Sequence, residues 1–350
     1  MAIRTITVPL EPGCNPESVD GLPLPESTRA ALVRAGGVLR RTVYVAADGN
    51  NVAALLGYHR PHTAQEKLTA IGGDERLWAD LIAFAVRHAS SQSGIAAVKV
   101  EGLNAVGNDA AGDDVAGDEV ANGMDSAEDG RFAHYRQTTE FTCGPVALLD
   151  ALHRRGLAPA PTRDEELALW REATIVVACD PYGLALAADR RGARPEVYVS
   201  AAGPVLHPDS GLGILDARLA RDAQLDFERQ VRERGIAVHV GAFGAGTIGR
   251  LVDDGRIAVV LIDELHMHGE TCPHWVTVTG RDPSGALLVD DPWTDADFGE
   301  SAVDAFQMPV WQEDLDLMIR YDAPARRRPC WCCRAVAFSS AWPDAGGVRR

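Results

Sequence analysis

The most informative stretch of the sequence is residues 135–150, which read YRQTTEFTCGPVALLD. From Pro145 onward, apolar side chains recur at helical spacing, and proline is favoured in the first turn of a helix. The pattern therefore predicts that Cys143 lies at the N-terminus of a buried helix. Free backbone N–H groups and the helix dipole stabilise a thiolate at that position. A thiolate is the nucleophile that acyl transfer requires.

A second stretch, residues 273–293, can supply the base for such a nucleophile; it reads PHWVTVTGRDPSGALLVDDPW. The alternation predicts a hairpin in which His274 starts the first strand and residues 282–285 form the turn. Asp290 and Asp291 then follow the second strand, close to His274. A carboxylate there can accept the imidazole N–H and fix its tautomer, and the hairpin alone allows either aspartate.

The two stretches resemble, in order and spacing, the double-glycine (bacteriocin) leader peptidases and their soluble, stand-alone relatives. His274 follows Cys143 by about 130 residues, which is the separation expected of papain-like chains. Residues 166–174, ELALWREAT, and residues 182–192, YGLALAADRRG, are similar to the same family. The resemblance covers residues 131–340.

The resemblance implies an α+β, papain-like cysteine peptidase fold, with the cysteine on a helix and the histidine and aspartate on an antiparallel sheet. It implies that Cys143 is the nucleophile and His274 the base. Asp291, the aspartate directly before a proline, orients the base. Gln137 donates a side-chain N–H to the oxyanion hole, together with the backbone N–H of Cys143. Such a site needs no cofactor and no metal. Transporter relatives add a membrane span and an ATPase, neither of which we expect here.

A strongly acidic segment, residues 104–130, divides the sequence in two. It contains eight Asp or Glu and no Lys, Arg or aromatic residue. Such a composition cannot bury enough apolar surface to offset the entropy of ordering, so it predicts a flexible linker. The linker implies an N-terminal domain at residues 1–103 and a peptidase domain at 131–340, followed by a tail at 341–350.

The N-terminal domain resembles a GNAT acetyltransferase over residues 35–102, where a hairpin with its turn at residues 48–51, a helix at residues 74–93 and a strand follow one another. In that fold coenzyme A binds at a helix N-terminus that is rich in glycine. Here the position reads IGGD at residues 71–74, and Asp74 places a carboxylate where a pyrophosphate would bind. We therefore expect a degenerate, non-catalytic α/β domain; an unrelated small α+β domain is the alternative.

Composition limits the classes of partner. The formal net charge is −16, with an isoelectric point near 5.0, which argues against binding to nucleic acid or to an anionic membrane. The number of cysteines is seven, which is odd and argues against a disulfide framework. The sequence shows neither a signal peptide nor a long apolar run, so we expect a cytoplasmic protein.

Two further groups could bind a metal, Cys330 with Cys332 and Cys333, and His266 with His268. We expect free or buried thiols in the first, because no second ligand pair follows as it does in a structural zinc site. In the second we expect side chains that shape the substrate cleft beside the active site. The expected function is hydrolysis of a peptide or small amide through a thioester. Acyl transfer to an amine at the same site is one alternative, and a non-catalytic peptide-binding module is the other.

Overall fold

The computed structural model describes residues 4–10, 21–33, 38–103, 134–174, 178–201, 217–320 and 334–338. The predicted linker, the predicted tail and the Cys330–Cys333 group lie outside these described residues.

The described N-terminal residues form a five-stranded sheet in the order β1-β2-β3-β4-β5. Neighbouring strands are antiparallel from β1 to β4, whereas β4 and β5 are parallel. The hairpin predicted at residues 48–51 is confirmed as the turn between β2 and β3. The elements are β1 (Arg4–Leu10), α1 (Glu26–Val33), β2 (Arg40–Asp48), β3 (Asn51–His59), β4 (Gln65–Gly73), α2 (Trp78–Ser90) and β5 (Ala97–Val100).

Helix α2 begins later than the predicted start at residue 74. The side chain of Asp74 accepts a hydrogen bond from the backbone N–H of Arg76 and caps a short 3-10 turn at Glu75–Leu77. Gly72, just before it, lies so close to the Pro23 backbone that a Cβ would be 1.9 Å from the Pro23 carbonyl oxygen. Only glycine fits there. The resemblance of this domain to an acetyltransferase stays a prediction.

The described C-terminal residues form a mixed α+β unit around a seven-stranded sheet in the order β11-β10-β9-β8-β12-β6-β7. All neighbours are antiparallel except β6 and β7. The strands are β6 (Pro195–Val199), β7 (Ala237–Val240), β8 (Ile257–Asp263), β9 (Pro273–Arg281), β10 (Leu287–Asp290), β11 (Met308–Val310) and β12 (Arg334–Phe338).

Helices cover both faces of this sheet. Every residue of β8 is buried, and alternate residues belong to two different core clusters, as the two-residue period of a strand requires. One cluster includes α3, α4 and α5, and the other includes α7 and α10. The helices are α3 (Cys143–Arg154), α4 (Arg163–Ala173), α5 (Pro181–Arg190), α6 (Ala217–Glu233), α7 (Ala245–Asp253), α8 (Leu265–His268), α9 (Ala302–Ala305) and α10 (Gln312–Met318).

Two local predictions are confirmed. Helix α3 begins at Cys143, and β9 pairs with β10 across the turn at residues 282–285. None of the helices in the described ranges is long and apolar enough to cross a membrane.

Candidate active site

The first residue of α3, Cys143, lies against the strand that carries His274. Thr277 of β9 donates a side-chain hydrogen bond of 2.8 Å to the carbonyl of Ala147, and this bond fixes α3 on the sheet. A Cβ on Gly144 would lie 2.9 Å from Cβ of Cys179 and 3.2 Å from Cδ1 of Trp275. The position after Cys143 therefore has to be glycine if the helix is to approach so closely.

His274 and Asp291 form a buried pair at the end of the β9–β10 hairpin. The Nε2–H of His274 donates to Oδ1 of Asp291 over 2.7 Å, and both side chains are almost fully inaccessible. The same Oδ1 accepts the backbone N–H of Trp293 at 2.8 Å. The carboxylate of Asp290 is held elsewhere, because it contacts Arg154 at 2.6 Å. The structure thus pairs His274 with Asp291 rather than with Asp290.

The other side of His274 faces Cys143 and a second carboxylate. Cys143 lies close enough to His274 for its side chain to act on the pKa of the imidazole. Oε1 of Glu264 lies 3.1 Å from Nδ1 of His274. Since Asp291 occupies Nε2, a proton exchanged with the thiol has to pass through Nδ1, the nitrogen beside Glu264.

The carboxylates around His274 favour its charged form. Burial alone lowers the pKa of His274, but Glu264 and Asp291, with hydrogen bonds to Asp291 and Cys143, raise that pKa well above its usual value. Burial alone raises the pKa of Asp291, yet His274 and Arg60 hold that pKa far below its usual range. Both shifts favour the ion pair of an imidazolium and a carboxylate.

Arg60, which directly follows β3, contacts the far side of Asp291. Its Nη1 donates to Oδ2 of Asp291 over 2.7 Å, and its Nε donates to Oε1 of Glu300, also over 2.7 Å. Burial alone raises the pKa of Glu300, but Arg60 and His268 lower it to about 2. The site thus contains alternating charges, His274, Asp291, Arg60 and Glu300, away from solvent.

Gln137 lies in the loop that leads into α3, and its backbone fixes it next to Asp291 and Pro292. Its N–H donates to the carbonyl of Pro292 at 2.9 Å, directly after Asp291. Its side-chain Nε2 donates to the carbonyl of Thr139 at 2.9 Å. Its buried Oε1 has no hydrogen-bond partner within the described part of the chain. The structure places Gln137 near the site, with its amide turned to Thr139.

A buried carboxylate, Glu166 of α4, holds the same loop in shape. Oε2 of Glu166 accepts the hydroxyl of Tyr135 at 2.8 Å, and Oε1 accepts the backbone N–H of Thr138 at 3.0 Å and the hydroxyl of Thr142. Burial raises the pKa of Glu166, but these donors outweigh burial and lower that pKa overall. Glu166 therefore fixes the approach to the N-terminus of α3.

Replacing Glu166 by glutamine is expected to lower the free energy of unfolding by about 3 kcal/mol, because hydrogen bonds to a buried charged group are lost. Glu165→Gln is the matched control, since that side chain is 40% exposed and makes only a 3.9 Å ion pair; it should change stability by less than about 0.5 kcal/mol. Urea unfolding measures both variants. Equal stability of the two variants would contradict the role of Glu166 in the loop.

Sequence reasoning missed Arg60, Glu264 and Glu300, and it quoted Glu166 only as part of a similar segment. Glu264 had a usable signal, because it directly follows the buried strand β8 and precedes the histidines of α8. Arg60 and Asp291 are separated by 231 positions, and nothing in the sequence pairs them.

The other candidate ligands lie close to the site without forming a metal cluster. His266 stacks edge-on against His62, and His268 is 3.4 Å from Glu300. Within the residues that the structure describes, no group of three or more suitable side chains is arranged to hold a metal ion. Burial and the Glu264 carboxylate raise the pKa of Cys272 to about 12, so this thiol is protonated at neutral pH.

Comparison with curated proteins finds no match. A family model described as a Peptidase_C39-like family matches residues 132–330, which is more than half of the 350 residues. The match spans Cys143, His274 and Asp291. The chain therefore belongs to the Peptidase_C39-like family.

Proposed function

We propose that this protein is a cysteine peptidase that hydrolyses a peptide or related amide bond at Cys143. The observation that carries the proposal is the continuous series of contacts from Cys143 to His274 to Asp291, at the start of a helix, in a chain of this family. A nucleophile, a base and a group that orients the base are the parts that acyl transfer needs.

In the proposed reaction the Cys143 thiolate attacks the carbonyl carbon of the scissile amide. The backbone N–H of Cys143 at the helix start stabilises the oxyanion, and Gln137 helps through the second N–H of its amide. His274 gives its Nδ1 proton to the leaving amine, and a thioester forms as the amide C–N bond breaks. His274 then takes a proton from water, which attacks the thioester and releases the acid. Asp291 holds the imidazole throughout.

Features around the site support a peptide substrate. Phe141, two residues before the nucleophile, is 39% exposed, and Leu265, next to Glu264, is 44% exposed. Exposed apolar side chains beside a nucleophile suit the apolar side chains of a bound peptide. The proposal includes a reducing, cytoplasmic setting, since a catalytic thiol must stay reduced.

The N-terminal domain enters the proposal as a degenerate acetyltransferase-like domain. Its antiparallel strands β2 to β4, followed by α2 and the parallel strand β5, support this likeness. The start of α2 is unsuited to a pyrophosphate, because the Asp74 carboxylate caps the turn there and would repel an anion. The Pro23 backbone also lies close against Gly72 and leaves no room beside it.

The test of the proposal is the pH dependence of alkylation by iodoacetamide, followed at each cysteine by mass spectrometry. The raised pKa of His274 means that the imidazolium exists at acidic and neutral pH and is lost as pH rises through that raised pKa. Cys143 should then react roughly tenfold faster than the other cysteines near pH 6, where an ordinary thiol of pKa about 8.5 is protonated. The advantage should disappear above about pH 9.

His274→Ala should remove the acidic-pH reactivity of Cys143. His266→Ala is the matched control, because His266 lies in the adjacent helix α8 and stacks on His62 instead of contacting the triad. If Cys143 reacts no faster than the other cysteines and His274→Ala changes nothing, the peptidase proposal fails. A peptide-binding module would then be the better description of this domain.

A further inference from the structure

The second oxygen of the Asp291 carboxylate is held by a residue from outside the matched peptidase region. Oδ1 accepts hydrogen bonds from His274 and from the backbone N–H of Trp293, whereas Oδ2 accepts one from Nη1–H of Arg60 at 2.7 Å. The side chains of Arg60 and Asp291 are both 0% exposed. The family match begins at residue 132, so Arg60 belongs to the other part of the chain.

A network of contacts fixes Arg60 in this position. The backbone N–H of Ala64 donates to the carbonyl of Pro309 at 2.7 Å. The Lys67 ammonium pairs with the buried carboxylate of Asp304. Ala64 is therefore held against β11, and β4 against the segment between β10 and β11. The chain that precedes β4 carries Arg60 into the site.

Further along the interface, Lys99 of β5 donates to the carbonyls of Val303 and Phe306 at 2.9 and 2.6 Å. The indole N–H of Trp311 donates to the carbonyl of Gly94 at 2.8 Å. These contacts join the two parts of the chain without touching Cys143, His274 or Asp291. A variant at one of them therefore measures the effect of weakening the interface alone.

We propose that Arg60 is a positioning residue for the catalytic carboxylate, so that the N-terminal domain completes the peptidase site. The inference rests on the proposed function of Cys143. A buried carboxylate has about four sites for donors, and it keeps one orientation only when donors fill them from both sides. Arg60 acts on the thiol through Asp291 and His274.

The charge of Arg60 matters as well as its geometry. His274 and Arg60 contact the Asp291 carboxylate from opposite sides. His134 Nε2 lies 2.7 Å from the backbone carbonyl oxygen of Asp291. Glu300 faces Arg60, and Glu264 faces His274. Beyond these, His268 and Asp304 act on the same charges at longer range.

Removing the Arg60 guanidinium leaves a more negative site, which disfavours a Cys143 thiolate. Alkylation of Cys143 should then require a higher pH.

The experiment measures the rate of Cys143 alkylation by iodoacetamide from about pH 5 to pH 9 in the full chain. Arg60→Gln should lower the rate near pH 6 by about tenfold and move the midpoint of the pH profile up by about one unit, following the change in local charge. Trp311→Phe removes an interface hydrogen bond of the same domain and should leave that midpoint in place. Thermal unfolding of each variant is recorded in parallel.

Arg60→Lys decides the matter if Arg60→Gln does not fold. The lysine ammonium keeps the positive charge, but it lacks the planar guanidinium group that contacts Asp291 and Glu300 at the same time. We expect its rate near pH 6 to fall by about threefold, with the midpoint close to that of the wild type. A wild-type rate in Arg60→Lys, or an unmoved midpoint in a folded Arg60→Gln, would overturn the role of Arg60. An equal shift in Trp311→Phe would also overturn it, in favour of docking alone.

The two proposals fail in different ways. Unselective labelling of wild-type Cys143 would refute the peptidase proposal itself. Selective labelling of the wild type that is insensitive to Arg60 would refute only the positioning role.

Discussion

Cys143→Ala is expected to abolish peptide hydrolysis, with kcat lower by about 10⁶-fold, because the proposed thioester forms on the Cys143 sulfur. The fold should be unaffected, because alanine fits within the volume that the buried Cys143 side chain, 5% exposed, occupies. The measurement is mass spectrometry of a mixed peptide library, incubated in parallel with the wild type and the variant. A library is needed because the site defines the bond class more closely than the sequence of the substrate.

Two neighbouring thiols provide the controls for that experiment. Burial, Cys143 and Asp180 raise the pKa of Cys179 well above its usual value, and that of Cys272 is raised to about 12, so both are neutral thiols. Cys179→Ala and Cys272→Ala should keep hydrolysis within about tenfold of the wild type. Hydrolysis that survives Cys143→Ala, or is lost equally in Cys272→Ala, would contradict the assignment of the nucleophile.

The same library separates hydrolysis from acyl transfer. Both reactions pass through a thioester on Cys143, and they differ only in whether water or an amine attacks it. Added glycinamide should leave the products of a hydrolase as free acids. Products extended by glycinamide in more than half of the cleavage events would instead favour the acyltransferase alternative.

The parts of the site that could be predicted from the sequence are those that local rules define. Pro145 and the apolar spacing after it predict a helix that starts at Cys143, and the Asp-Pro-Ser-Gly turn predicts the hairpin that carries His274. Both patterns depend on residues that are close in sequence, and His274 and Asp291 at the two ends of the hairpin are 17 positions apart. The structure contains the helix and the hairpin at those positions.

The rest depends on contacts between distant segments, which leave no local pattern. Arg60 and Glu300 are 240 positions apart and meet only because the segment after β3 contacts the segment between β10 and β11. The start of α2 was predicted too early for a local reason, since the capping side chain of Asp74 begins a 3-10 turn before the α-helix. Gln137 was predicted as a donor by family resemblance, and its amide contacts Thr139 in the structure.

Asp291→Asn is expected to damage catalysis and stability together. If the new side-chain oxygen still accepts the Nε2–H of His274, the new NH₂ group faces Nη1 of Arg60. Both of these groups are hydrogen-bond donors, so the bond to Arg60 is lost. If the amide is flipped, the NH₂ faces Nε2 of His274 and forces the wrong tautomer for a base. In the serine protease template that error lowers kcat by about 10⁴-fold, and we expect a loss of similar size here.

Stability should fall by about 3–5 kcal/mol, because the buried Arg60 loses one of its two anionic partners. Asp290→Asn is the matched control, since its carboxylate contacts Arg154 and the Gln307 amide instead of His274. That variant should be less stable but should keep kcat within about tenfold, as measured on the library products and by urea unfolding. A larger loss of kcat in Asp290→Asn than in Asp291→Asn would transfer the orienting role to Asp290. The imidazole would then have to turn away from the carboxylate that lies 2.7 Å from it.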